Sequence, residues 1–402
     1  MDLIERFLNY VGIDTASDET SDTCPSTKRQ FDLAYTLERE LNELGASDVR
    51  VDEHGYVYAA IPANRDGQPV IGLIAHMDVV NSVKSSGIRP RLLRYEGSDI
   101  VLNEEQGIVM RESEFDALSG LHGHELIVTD GTTLLGGDDK AGIAEIMQLA
   151  EYLTSHPEFP HGRVMIGFTP DEEIGRGADL FDVRGFGADF AYTLDGDKAG
   201  GIEYENFNAA ALTVTVHGRS IHPGSAKNKL RHAAKIAMEY QSMLPVRETP
   251  ENTEGYEGFF HLISISGNEE LATMTYIIRD HDAEKFDIKK ARAKKIADYL
   301  NDKYGVGTVE AQVRDQYRNM KEIIEQNPQV IERAREAVKA AGLTPFSKPV
   351  RGGTDGATLC YMGLPCPNLG TGGGNFHGNY EYVSATEMRQ MVEVLKALVK
   401  AQ

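Results

Sequence analysis

Five short signals in this 402-residue chain carry the residue types that a divalent-metal site needs: His76-Met77-Asp78, Asp138-Asp139-Lys140, Glu172-Glu173, Asp195 and His377. Imidazole nitrogen and carboxylate oxygen without thiolate suit zinc, with manganese or cobalt as alternatives. His76 and Asp78 stand two apart, so in extended chain they point the same way. One can ligate while the other holds the second ring nitrogen. Asp138 and Asp139 precede a helical stretch; either can cap it, or bridge two ions through its two oxygens. Glu172 and Glu173 close a run of three acids, which is costly at a buried strand end without cations or hydrogen bonds. The pair can divide two jobs, metal ligand and general base. His377 sits in Gly370-Thr371-Gly372-Gly373-Gly374-Asn375-Phe376-His377-Gly378, where glycines allow close backbone approach.

Taken singly, these signals read as readily as a helix cap, a solvated turn or a polar strand end. Their placement is what points to a site. His76, the Glu172-Glu173 pair and Asp195 follow the apolar runs 70–75, 164–168 and 190–194. In open α/β sheets, ligands gather at the carboxyl ends of the strands.

The elements that must position these residues follow from periodicity. Residues 27–45 and 141–154 have helical spacing, and 48–52, 56–61, 70–75, 164–168 and 190–194 read as strands. The pattern is α/β with a mostly parallel sheet core. Residues 82–133 are polar, with two weak hairpin-like patches at 98–103 and 107–111, and read as a long insertion over one sheet edge. From 207 the pattern changes: strand 211–216, helix 228–243, strands 259–266 and 271–279, helix 282–303, strand 307–315. This β-α-β-β-α-β order is ferredoxin-like. The α/β pattern returns with helices at 327–341 and 385–400. The expected architecture is a discontinuous catalytic domain, 1–206 with 318–402, and an inserted α+β lid, 207–317.

Composition narrows the classes. With 41 basic and 62 acidic residues the formal charge is −21, which argues against a nucleic-acid or anionic-membrane surface. No apolar run reaches the roughly 18 residues of a membrane span, and the acidic N-terminus lacks a signal-peptide pattern. Three cysteines, Cys24, Cys360 and Cys366, do not make a disulfide framework. A cytoplasmic protein is expected. His122-Gly123-His124-Glu125 reads as surface, Cys360 is not read as a nucleophile, and no His-Glu-x-x-His or Gly-x-Ser-x-Gly occurs.

Ile74-Ala75-His76-Met77-Asp78, Asp138-Asp139-Lys140-Ala141-Gly142, Pro170-Asp171-Glu172-Glu173-Ile174-Gly175 and Asp195 together resemble the dizinc exopeptidases of the aminoacylase and glutamate carboxypeptidase type. Ile221-His222-Pro223-Gly224-Ser225 and Arg351-Gly352-Gly353-Thr354-Asp355-Gly356 extend the resemblance over essentially the whole chain and narrow it to the branch that acts on tripeptides. The resemblance implies a zinc-exopeptidase-like fold and two divalent metal ions, zinc foremost. It implies His76 and Asp195 on one metal, Glu173 and His377 on the other, and Asp138 bridging. Glu172 would be the base and Asp78 would orient His76. His222 would help stabilise the oxyanion, and Arg279, Arg351 and, more weakly, Asn375 would meet the substrate. The implied activity is release of the N-terminal residue from tripeptides, and a homodimer is compatible with it. Competing expectations are an N-acyl-amino-acid amidohydrolase or carboxypeptidase on the same site, and a non-catalytic peptide-binding protein.

Overall fold

The computed structural model describes residues 1–401. Two compact units emerge, one of Met1–Tyr204, Met320–Lys348 and Thr354–Gln402, the other of Glu205–Asn319 and Pro349–Gly353.

The first unit is built on a seven-stranded sheet. Its strand order is Ser47–Val51, Val57–Ile61, Val164–Thr169, Ile71–His76, Phe190–Gly196, Asn368–Gly370 and Ile202–Glu203. The four strands from Val164–Thr169 to Asn368–Gly370 run parallel. The three pairings nearer the edges are antiparallel, so the sheet as a whole is mixed. A short connection makes the first of them: the tight turn between Val51 and Val57 can return the chain only antiparallel. Strands Ile71–His76 and Val164–Thr169 are buried along their full length, as their unbroken apolar runs require. Helix Gly137–Ser155 packs on Ile71–His76 and is itself covered by helices Leu3–Val11 and Ala385–Val399. That is why it is apolar on nearly every side.

The polar stretch 82–133 is more structured than its composition suggests. The expected hairpin forms, pairing Ile100–Asn103 with Ile108–Met110. Two further strands, Arg91–Arg94 and Glu125–Val128, join Tyr382–Ser384 and Gly373–Gly374 in a second sheet. A small core of Tyr95, Met110, Leu118, Leu126 and Tyr382 fills it. The strand pattern is hard to see locally because its partner comes from the far end of the chain.

The second unit is a four-stranded antiparallel sheet in the order Phe259–Gly267, Leu271–Asp280, Asn208–His217, Val309–Tyr317. Helices Ala233–Met243 and Ala283–Tyr304 pack on it around a separate core that includes Leu212, Val214, Tyr240, Met274 and Leu300. The topology is the ferredoxin-like one. The first helix starts at Ala233 rather than near 228, because Arg231 is held in a bridge to Arg219.

One buried group opposes the fold. Glu145, inside helix Gly137–Ser155, is fully buried and neither carboxylate oxygen is hydrogen-bonded. Burial, with the charges of Asp139 and Glu387, pushes its pKa well above the ordinary carboxylate range. The folded state therefore holds a proton that the unfolded chain loses near about pH 4.3. Stability is greatest below that value and falls as pH rises toward the raised folded pKa. Glu145→Gln cannot titrate, so its stability relative to wild type is expected to grow as pH rises from about 5 toward neutrality. Urea unfolding across that range checks this; parallel pH profiles would contradict it.

Candidate metal centre

The candidate ligands all lie in the first unit, at strand ends and the turns beside them. His76 is the last residue of Ile71–His76, and Asp195 lies near the end of the neighbouring strand Phe190–Gly196. Glu172 and Glu173 open a single 3₁₀ turn, Glu172–Ile174, just past strand Val164–Thr169. Asp138 stands at the entry of helix Gly137–Ser155, where Asp138 and Asp139 keep non-helical dihedrals. The helix can reach the sheet there because residue 142 is glycine. A Cβ at Gly142 would lie 2.2 Å from the Leu194 carbonyl oxygen and 2.5 Å from an Asp139 oxygen.

Two histidines converge on Asp138. The His76 Nε2 lies 2.9 Å from Asp138 Oδ1 and 3.4 Å from Asp195 Oδ1. The His377 Nε2 lies 3.0 Å from Asp138 Oδ2 and 3.0 Å from Glu173 Oε2. One carboxylate thus presents one oxygen to each ring, with a second acid beside each. Ligand atoms of His76, Asp138 and Glu173, and those of His76, Asp139 and Asp195, form two groups in which all lie within 4.8 Å of one another. Asp139 has other work: its oxygens accept the backbone N–H groups of His76 (3.1 Å) and Gly142 (3.3 Å).

Asp78 faces the other side of His76. The His76 Nδ1 lies 3.0 Å from the Asp78 carbonyl and 3.4 Å from its carboxylate. The same carboxylate accepts the backbone N–H groups of Glu172 (2.9 Å) and Glu173 (3.2 Å). Asp78 therefore ties the His76 strand end to the glutamate turn. Asp171, the first acid of its run, is structural: it accepts from Ser26 N, Ser26 Oγ and Gln30 Nε2 at 2.7, 2.5 and 2.7 Å.

Sequence reasoning missed two supporting residues. Thr354 Oγ1 donates to Asp195 Oδ2 at 3.3 Å. Glu381, buried to 2% exposure, accepts backbone N–H groups from the segment that carries Asp138. Neither has a local signal; the partners are far away in sequence. Among the expected substrate residues, Asn375 donates to the Tyr380 carbonyl at 3.1 Å and so closes the turn carrying His377. His222, Arg279 and Arg351 belong to the second unit. The His222 ring accepts from Gly224 N at 3.2 Å and is exposed. Arg279 donates to the Ile278 carbonyl and Gln316, and lies over Tyr317. The Arg351 guanidinium donates to the Gly255 and Glu257 carbonyls and Thr253 Oγ1, and lies over Phe207 and Phe259. Its fork is occupied in holding that loop.

The electrostatics call for cations. Among the described residues no Lys or Arg pairs with Asp138, Asp195, Glu172 or Glu173. Burial would depress the His76 pKa, but hydrogen bonds to Asp138, Asp195 and Asp78 outweigh it and hold it well above the ordinary value. Hydrogen bonds to Asp138 and Glu173 lift His377 to about 10. Burial, then Asp138, lifts Glu173 to about 7. Burial, then Asp195, pushes Glu172 well up. The acids around both rings thus favour positive charge at this spot. A hard or borderline divalent ion fits this nitrogen-and-oxygen donor set.

Residues 115–401 match the model of peptidase family M20/M25/M40. Peptidase T of Caldanaerobacter subterraneus subsp. tengcongensis is 53% identical, over 99% of this chain and 98% of that protein. Peptidase T of Geobacillus kaustophilus is 52% identical over the same shares. Among solved structures, the aminopeptidase PepT from Bacillus cereus aligns with a TM-score of 0.79 at 24% identity, covering 99% of this chain and 97% of that one. A dinuclear metal-binding M20 peptidase from Bacillus subtilis aligns at 0.63 and 16%, covering 99% and 96%.

A ligand for the folded state alone stabilises it by mass action, about 2.7 kcal/mol at a hundredfold excess over Kd. Zinc added to chelator-treated protein is expected to raise the melting temperature. Because ligating histidines must be neutral, binding is expected to release protons and to weaken as pH falls. Calorimetry in two buffers of different ionisation enthalpy measures the release; metal-independent melting would count against the centre.

Proposed function

The chain belongs to peptidase family M20/M25/M40, and on that premise we propose that it is a metal-dependent aminopeptidase that removes the N-terminal residue of tripeptides. The observation that carries the reading is the convergence of both histidines on the two oxygens of Asp138, beside a glutamate with a free carboxylate. In this reading His76 and Asp195 would hold one divalent ion, Glu173 and His377 the other, and Asp138 would serve both, with zinc as the metal. Bound there, such ions polarise the scissile carbonyl and lower the pKa of water.

The chain's own residues do the rest. No group among the described residues hydrogen-bonds the Glu172 carboxylate, while its backbone N–H is fixed by Asp78. Glu172 is therefore placed but unengaged, as a general base must be. It takes the proton of the attacking water and returns it to the leaving amine. Asp78 holds His76 by its second ring nitrogen, the usual support of a ligating histidine. We assign His222 to the developing oxyanion, and Arg279 to the substrate's carboxylate or backbone. Arg351 and Asn375 support loops in this geometry, and we give them a positioning part in substrate binding.

The second unit is read as a lid. A second copy of the chain fits its uncharged edge strand Phe259–Gly267, which exposes Ile263 and Ile265. Three free cysteines support a reducing, cytoplasmic setting. Among the described residues no helix is long and apolar enough to cross a membrane.

Glu172→Ala is expected to keep about two metal ions per chain and to lose at least about two orders of magnitude in kcat. Elemental analysis alongside the rate assay checks this; loss of metal with unchanged activity per metal would sink the assignment. A panel of tripeptides, dipeptides, N-acylated tripeptides and acylated amino acids, on zinc-, cobalt- and manganese-loaded protein, tests the substrate. Cleavage of free-amine tripeptides and not of blocked ones is expected. Preference for acylated amino acids would favour an amidohydrolase, and inactivity with every metal a peptide-binding protein.

A further inference from the structure

We infer that Glu381 is a positioning residue that locks Asp138 to His377 and thereby sets the affinity of the metal centre. The inference rests on the metal site proposed above and adds to it a residue outside the ligand set.

The contacts are specific. Glu381 Oε2 accepts the backbone N–H groups of Leu135 and Gly136, both at 2.8 Å, and Oε1 accepts that of Asp138 at 3.0 Å. The left-handed Gly136, at φ 75°, turns the segment so that three N–H groups face one carboxylate. Successive N–H groups curled in this way form an anion-binding concavity, here on the non-helical turn through Asp138 and Asp139. The Glu381 carboxylate occupies it, although burial pushes its pKa up to about 7.

Glu381 reaches this turn from an informative direction. Only three residues separate it from His377, and its own N–H donates to the Gly378 carbonyl at 3.2 Å. One short turn thus grips Asp138 twice. His377 meets the Asp138 side chain at 3.0 Å, and Glu381 holds the Asp138 backbone. The next residues, Tyr382–Ser384, are paired on both sides in the second sheet, so the grip is anchored. The fit leaves no slack: a Cβ at Gly137 would lie 2.3 Å from Val383 Cγ2 and 3.2 Å from Glu381 Oε1. If Asp138 serves both metals, a clamp on its backbone governs both sites.

A carboxyl group suits this role better than an amide. Ionised, it offers two acceptor oxygens and no donor, whereas a glutamine would turn N–H groups toward a backbone N–H. Glu381→Gln should loosen Asp138 without removing any ligand. Partners behind metal ligands typically account for 10–100-fold in metal affinity.

The test titrates chelator-treated wild type and Glu381→Gln with zinc against a chromophoric competitor, with circular dichroism and melting of the metal-free forms alongside. Expected is a loss of about 10–100-fold in zinc affinity by folded Glu381→Gln, with kcat largely recovered at saturating zinc. A glutamate with a merely structural part would lower the melting temperature of the metal-free protein and leave the zinc affinity of the folded fraction unchanged; that result overturns the inference. Should Glu381→Gln not fold, Glu381→Asp, which keeps the charge but retracts it by one methylene, carries the same decision. Wild type that fails to take up two ions would instead refute the metal site itself.

Discussion

The concentration of buried carboxylate at one end of a parallel sheet is the constraint on which the rest of this structure depends. Asp138, Asp195 and Glu173 gather around two imidazole rings, and no lysine or arginine among the described residues pairs with them. Unpaired buried charge is costly. Hydrogen bonds to those acids shift both rings upward, so positive charge is favoured there. The same arrangement is a poor stabiliser of the fold and a good receptor for divalent cations.

The acids near the site divide by what they accept. Asp78, Asp139, Asp171 and Glu381 spend their oxygens on backbone N–H groups, at Glu172 and Glu173, His76, Ser26, and Leu135 to Asp138 respectively. These contacts fix the loops. Asp138, Asp195 and Glu173 face imidazole instead, Asp78 does both, and among the described residues the Glu172 carboxylate does neither. A carboxylate that holds backbone stays in one place; one that faces a ring remains available to a cation. The sorting cannot be made from residue type, because each member is simply Asp or Glu.

The C-terminal segment closes the site. It supplies Thr354 beside Asp195, strand Asn368–Gly370 at the sheet, and the turn with His377 and Glu381. It also supplies the strand on which the polar insertion builds its own sheet. Completion of the centre therefore depends on contacts between parts of the chain hundreds of residues apart, after the excursion through the second unit.

The sequence by itself determined the elements and the candidate ligands. Apolar runs such as Val70 to Ala75 can only be central strands, and acids placed directly after them must lie at one end of the sheet. The ferredoxin-like order of the second unit was equally legible, since alternation and helical spacing are local signals. Spacing left open which of Asp138 and Asp139, and which of Glu172 and Glu173, does what. Tertiary structure decided that Asp139 is taken up by the backbone N–H groups of His76 and Gly142, while Asp138 turns its two oxygens to two rings. It also decided that Arg351 holds a loop, that the polar insertion forms a sheet, and that Glu381 grips the Asp138 turn. Each of these depends on a partner remote in sequence. Periodicity reports the face a residue presents; which atom it meets there is fixed only when the distant segment arrives.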